Sequence, residues 1–312
     1  MLALFMALGM ASLGATETSV TLASEPAPLY GTMLRPNGEL VAGAIIIPGS
    51  GPTDGDGNSP LGVRSASLKK LAEGLATYNI ATVRIDKRGV ARSQPAGFSE
   101  SELRFDQMAE DVRGWATQTA RALNQPCVWL IGHSEGALVS QVAASQASSD
   151  ICGLVLLSGA GRAAGTVIRE QLNGQLPEPL KTQAFDALAE LEAGRTVSDS
   201  PPALSALLRP SVQPYLISWL KYDPAKLAAD YQGPMFIGQG TTDLQTTVAD
   251  AQALAAARPE AQLKLWEGVN HTLTAAPADR AENLATYANP EAPLADPVLT
   301  DVAVFIRFSA LQ

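Results

Sequence analysis

The chain is poor in the side chains that most catalytic centres use. It holds two histidines and two cysteines in 312 residues. No Cys-x-x-Cys pair and no His/Cys cluster is present, so neither a dithiol redox motif nor a zinc site is suggested. Basic charge is also short. Lys and Arg number 22 against 31 Asp and Glu, for a net charge of −9 and an isoelectric point near 4.8. That balance argues against nucleic acid as a partner. The apolar start, Met1 to Leu13, is too short to span a bilayer. With small Gly14 and Ala15 behind it, it resembles the apolar and cleavage zones of a secretory signal. It lacks the basic residues that usually come first, since no Lys or Arg precedes Leu13. Export to a periplasmic or secreted setting is the expectation, with a cytoplasmic protein carrying an apolar N-terminal helix as the alternative. No internal repeat or low-complexity tract stands out.

What is present is a globular composition, 46% hydrophobic and 17% charged. It suits one large α/β domain with an insertion, or two small domains. The most informative stretch is Cys127 to Val139, CVWLIGHSEGALV. Val128 to Ile131 reads as a buried strand. Gly132-His133-Ser134-Glu135-Gly136 follows at once, and an Ala-rich helical pattern comes next. A serine flanked by glycines at a strand-to-helix turn is a nucleophile elbow. The motif alone is moderately specific, so its context must carry the rest.

Around it, apolar and helical patterns alternate. Two short strands joined at Pro26 to Pro28 are expected within Ser19 to Leu34, and further strands at Ala42 to Ile47, Ala81 to Ile85, Leu154 to Leu157, Met235 to Ile237 and Gln262 to Trp266. Helices are expected at Ser67 to Tyr78, Glu100 to Leu123, Thr247 to Ala257 and Pro297 to Leu311. In the long one, Phe105, Met108, Val112, Trp115 and Thr119 share a face. From Ala163 to Lys221 the pattern is helical only, broken by prolines. The expected architecture is a mostly parallel sheet with helices on both faces. Residues 16–162 and 223–312 form its core, 163–222 an inserted helical cap, and 1–15 the apolar leader. Cys127 and Cys152 each begin a strand-like run. A disulfide and two buried free thiols both fit them.

A serine hydroxyl needs a base, and the base needs an orienting acid. His133 lies within the elbow, where its side chain should point away from Ser134. That leaves His271, in a loop after the Leu263 to Trp266 run. The acid should fall between them, and Asp243, just past the strand MFIGQG, is the best candidate. Its alternative role is to cap the next helix; Asp223, Asp230 and Glu267 are the other carboxylates considered. Oxyanion donors are expected from the backbone N–H of Glu135 and of Ser50, with Gly49 and Gly51 letting that loop turn inward. Leu216 and Trp219 in the cap are candidate pocket walls, together with Leu207, Leu208, Tyr215 and Leu220, although these could equally be the cap's own core. Asp54, Asp56 and Asn58 are spaced like part of a calcium loop but lack its closing Glu, so loop-internal hydrogen bonds are expected instead. Arg88 and Asp86 are expected to form an ion pair.

These segments resemble an α/β-hydrolase of the esterase/serine-aminopeptidase-like group. Its GSGPxDxDGN-type loop appears as Gly49 to Asn58, its DxRGxGxS-type loop as Asp86 to Ser93, and its GHSEG elbow as Gly132 to Gly136. The acid and histidine segments match at Asp243 and His271, and a C-terminal PxxPLxPxL-type stretch matches at Pro290 to Leu299. The chain departs from the pattern at Pro48, where many such proteins carry a histidine, at Gly55 and at Ala91. The resemblance implies a serine hydrolase with a Ser134–Asp243–His271 triad, cleaving carboxylic esters without cofactor or metal, and the modest size of the cap at 163–222 suggests short to medium acyl chains. A peptidase or amidase on the same triad and a non-catalytic binding protein on the same scaffold are the alternatives. A small-molecule ester is the expected partner; the oligomeric state is not indicated.

Overall fold

The computed structural model describes residues 14–95, 98–146 and 148–310. The apolar segment Met1 to Leu13, and with it the expected export signal, lies outside the described residues. Eight strands run β1 Ala15–Leu22, β2 Leu29–Pro36, β3 Ala42–Ile47, β4 Ile80–Ile85, β5 Val128–His133, β6 Ile151–Leu157, β7 Met235–Gly240 and β8 Gln262–Trp266. The helices are α1 Ser67–Ala76, α2 Phe105–Leu123, α3 Glu135–Ala144, α4 Ala164–Asn173, α5 Leu180–Glu192, α6 Ser205–Leu208, α7 Gln213–Leu220, α8 Pro224–Asp230, α9 Val248–Ala257, α10 Arg280–Tyr287 and α11 Asp296–Ser309.

The strands make one sheet in the order β1-β2-β4-β3-β5-β6-β7-β8. β1 and β2 are antiparallel, β2 meets β4 antiparallel, and every later pairing is parallel. The central strands β3, β5 and β6 are almost wholly apolar because both faces are covered. Successive side chains go to opposite cores. Ile45, Ile47, Leu130 and Leu154 pack with Phe105, Val112 and Trp115 of α2. Ala44, Ile46, Ile131 and Val155 pack with Leu68, Leu71 and Leu75 of α1 and with Val298 and Ile306 of α11. Each fully buried side chain of this kind contributes about 1.5–3 kcal/mol.

The expected long helix is shorter than its pattern. Glu100–Glu102 is a single 3-10 turn, and Leu103 and Arg104 are extended before α2 begins. Tertiary contacts override propensity here. Glu100 is drawn to Arg209 and Ser211, and Ser218 Oγ caps the Phe105 N–H at 2.8 Å. Two helices escaped the pattern reading, α8 and α10. Both start on an aspartate, Asp223 and Asp279, whose carboxylate accepts the next free backbone N–H groups.

Between β6 and β7 the chain is helical. Ile168, Leu188, Leu191, Leu208, Leu216 and Leu220 form a small apolar core of its own. Leu208, Leu216 and Leu220 are thus core residues of that segment. Cys127 and Cys152 are joined in a disulfide, with Cα atoms 5.2 Å apart. No described helix is long and apolar enough to cross a membrane.

Candidate active site

The carboxyl ends of the parallel strands bring the chemically active side chains to one edge, as expected for an open α/β sheet. β5 ends at His133, and Ser134 turns the chain with φ 56° and ψ −120°. A non-glycine residue held at such angles is strained, which is the mark of an elbow. The glycines on either side are required by space. A Cβ on Gly132 would stand 2.2 Å from the Gly136 carbonyl oxygen, and one on Gly136 would stand 2.3 Å from that of Ile47. The Ser134 N–H donates to the Leu157 carbonyl at 2.9 Å, which ties the turn to the end of β6.

Asp243 follows β7 by three residues, and His271 follows β8 by five. His271 Nδ1 lies 2.8 Å from Asp243 Oδ2 and 3.1 Å from Oδ1. The carboxylate accepts, so the proton sits on Nδ1 and Nε2 is left with its lone pair. Burial raises the Asp243 pKa. The charge and hydrogen bond of His271, with the Gln245 and Thr246 amides, outweigh it and bring the value down to about 2. Asp243 is not a helix cap, because Thr247 caps α9 in a box with Asp250. Of the other carboxylates considered, Asp223 caps α8, and Asp230 and Glu267 are exposed.

The imidazole of His271 is held against the elbow through His133. Their ring centroids are 4.8 Å apart, and His133 Nε2 donates to the His271 carbonyl at 2.7 Å. Among the described residues the Ser134 hydroxyl makes no hydrogen bond to His271; such contacts often close only around a substrate. His133 points into the protein. Burial, and then the neighbouring His271, lower its pKa to about 4.

Several polar residues that pattern reading passed over hold this arrangement. Gln239 Nε2 and Thr246 Oγ1 both donate to Asp243 Oδ2, at 3.2 and 3.1 Å. Asn270 Oδ1 accepts from Thr272 and Thr274 in the His271 turn. Its amide donates to Asn283 Oδ1 and Thr286 Oγ1 on α10. Asn283 in turn donates to the Thr242 carbonyl, beside the acid, at 2.9 Å. Asn270 adjoins His271 in sequence, whereas Gln239 and Thr246 lie four and three positions from Asp243 and Asn283 twelve from His271; nothing in a single sequence separates them from ordinary composition.

Gly49 and Ser50 close the site from β3. A Cβ on Gly49 would meet the Ser134 Cβ at 3.1 Å, so the loop backbone lies directly on the serine. A pocket opens from Ser134 and Ser50 between Leu138, Val167, Ile168 and Trp219. A second groove, lined by Gly51, Met108, Leu207 and Leu216, shares Ser50, Glu135 and Trp219 with it. Beneath the loop, Lys87 and Glu135 form a buried pair with Nζ 3.5 Å from Oε1. Burial lowers the Lys87 pKa, opposed by Glu135.

The expected Arg88–Asp86 pair does not form. Arg88 reaches Asp111 on α2 at 2.7 Å, while Asp86 takes Arg92 at 2.7 Å and the Gly55 N–H. Asp86 ties the strand-end loops together, and Arg88, two residues further on, faces α2 instead. Asp54 accepts from the Asp56 and Asn58 amides, and Asp56 pairs with Arg84. Among the described residues no group of three metal-binding side chains occurs.

Residues 61–199 match the serine aminopeptidase S33 family. No curated protein sequence matches the chain significantly. Among solved structures, the chain is similar to Est1E from Butyrivibrio proteoclasticus at 15% identity, with 94% of this chain and 99% of that one covered and a TM-score of 0.61. It is similar to the proline iminopeptidase of Mycobacterium smegmatis at 15% identity, covering 94% and 99%, with a TM-score of 0.59. The esterase domain of a Rhodothermus marinus protein aligns at 16% identity, covering 94% and 98%, with a TM-score of 0.58. The likeness to these structures, with the eight-stranded sheet, shows an α/β-hydrolase fold.

Proposed function

We propose that the protein is a serine esterase that cleaves carboxylic esters of short to medium acyl chains through an acyl-enzyme. The observation that carries this reading is the Asp243–His271 pair set against a strained serine elbow. Ser134 Oγ attacks the ester carbonyl carbon as its proton passes to His271 Nε2. Asp243 holds the ring by Nδ1 and stabilises the imidazolium. The backbone N–H groups of Glu135 and Ser50 receive the oxyanion. The tetrahedral intermediate expels the alcohol, which takes the proton from Nε2. A water then gives a proton to Nε2 and attacks the acyl carbon, and Ser134 regains its proton as the acid leaves. The sequence of steps uses no cofactor or metal.

Ester rather than peptide cleavage is supported by the pocket beside Ser134. Among the described residues Glu135 is the only carboxylate lining it, and that carboxylate is engaged with Lys87. A pocket built to hold the ammonium group of a peptide would need an available anion. The walls Leu138, Val167, Ile168 and Trp219 suit an acyl chain instead. The helical segment carrying Trp219 then acts as a cap.

The test compares wild type and Ser134→Ala on p-nitrophenyl acyl esters and aminoacyl anilides, with fluorophosphonate labelling. Wild type should hydrolyse the esters and label at Ser134. The variant should lose at least about 10³-fold in kcat and all labelling. Faster turnover of the anilides would favour a peptidase, and an inert, unlabelled wild type would remove the hydrolytic reading.

A further inference from the structure

Pro48 has no side-chain donor with which to brace the loop that carries Ser50, yet that loop must hold its peptide still if Ser50 is to bind an oxyanion. The brace comes from elsewhere in the chain. Lys87, the second residue after β4, is buried, and its Nζ donates to the Gly49 carbonyl oxygen. The same Nζ lies 3.5 Å from Glu135 Oε1, and both side chains are nearly sealed from solvent, at 4% and 3% exposure. Burying two charges is unfavourable without compensation, so a pair placed directly beneath the elbow calls for a reason.

Peptide geometry supplies one. The Gly49 carbonyl and the Ser50 N–H belong to a single planar trans unit and point in opposite directions. Fixing the carbonyl on Lys87 turns the N–H the other way. Ser50 lines the pocket that Ser134 lines. Among the described residues neither the Ser50 nor the Glu135 N–H donates to a protein acceptor. Glu135 therefore takes part twice, by its backbone N–H in the site and by its carboxylate beneath it.

Resting on the ester-hydrolase reading, we propose that Lys87 is a positioning residue, which locks the Gly49–Ser50 peptide onto Glu135 and so aligns the two oxyanion donors. It touches no substrate; its effect passes through the Ser50 N–H. Loss of the lock lowers transition-state stabilisation while leaving ground-state binding nearly intact.

Steady-state kinetics on p-nitrophenyl butyrate, with thermal melts, test it in wild type, Lys87→Met and the double variant Lys87→Met/Glu135→Gln. Lys87→Met should lower kcat by about 10- to 100-fold with KM within about twofold, and should also lower Tm because Glu135 is left unpaired. The double variant removes that unpaired charge. Its Tm should return toward wild type while kcat stays low, and it carries the test alone if the single variant does not fold. A kcat that recovers together with Tm, or that never falls in a folded variant, overturns the proposal by reducing Lys87 to a structural ion. A wild type that turns over no ester overturns the hydrolase reading itself, before any variant is compared.

Discussion

At the scale of single residues, the two histidines divide a pair of tasks that the sequence assigns by elimination. In the proposed reaction His271 is the base, with its Nδ1 tied to Asp243. His133 does the opposite work: it stays neutral and braces the His271 backbone. Its pKa of about 4 lies below the ordinary histidine value of about 6.5, so between those values the unfolded chain binds a proton that the folded chain refuses. The associated stability is complete above about pH 6.5 and drains away as pH falls toward 4, on the order of 3 kcal/mol in all. The groups facing this ring are His271 and Asp243. Thermal melts from pH 7 to pH 4 should show Tm falling through that window, and His133→Gln, which cannot take the proton, should flatten that part of the slope. Equal slopes in the two proteins would mean that His133 is not held neutral by the fold.

At the scale of elements, the strands were legible because both faces of the sheet are covered, which leaves runs such as AGAIII and ICGLVLL with no polar alternation. The elbow was legible for the same kind of reason, since Gly132 and Gly136 admit no other residue. What escaped had weak or non-local signals. Helix α10 buries only Asn283 and Tyr287, so it has no apolar stripe, and only its Asp279 cap marks it. Lys87 and Glu135 lie 48 positions apart, and nothing local distinguishes a buried ion pair from two surface charges. Asp86 is the acidic neighbour of Arg88 in sequence, whereas the fold gives Arg88 Asp111. Helix α10 nevertheless bears on the site. Asn283, wholly buried, receives the Asn270 amide from the histidine turn and donates to the Thr242 carbonyl beside the acid. Asn283→Ala leaves those groups without partners and should destabilise by about 2–3 kcal/mol. Because it also loosens the turn that holds His271, kcat should fall about tenfold at a temperature where the variant is folded, with KM little changed. A wild-type kcat in a destabilised variant would make α10 a purely structural clamp.

At the scale of the whole molecule, the sheet separates the candidate site from the covalent staple. Ser134, Asp243 and His271 follow the carboxyl ends of β5, β7 and β8, whereas Cys127 and Cys152 sit at the opposite ends of the adjacent β5 and β6. The six residues of β5 span about 20 Å between them. The disulfide closes a 25-residue separation around the elbow and α3, and by restricting the unfolded chain such a loop contributes about 3 kcal/mol. It also suits the exported setting proposed from the apolar N-terminal segment. The paired variant Cys127→Ala/Cys152→Ala should therefore lose several degrees of Tm, while ester turnover at 25 °C stays within about twofold of wild type. Thiol reductant should lower the Tm of wild type and leave that of the variant unchanged. If instead turnover falls in the variant well below its melting temperature, the far ends of β5 and β6 are coupled to the serine elbow, and the sheet does not insulate the site from its own staple.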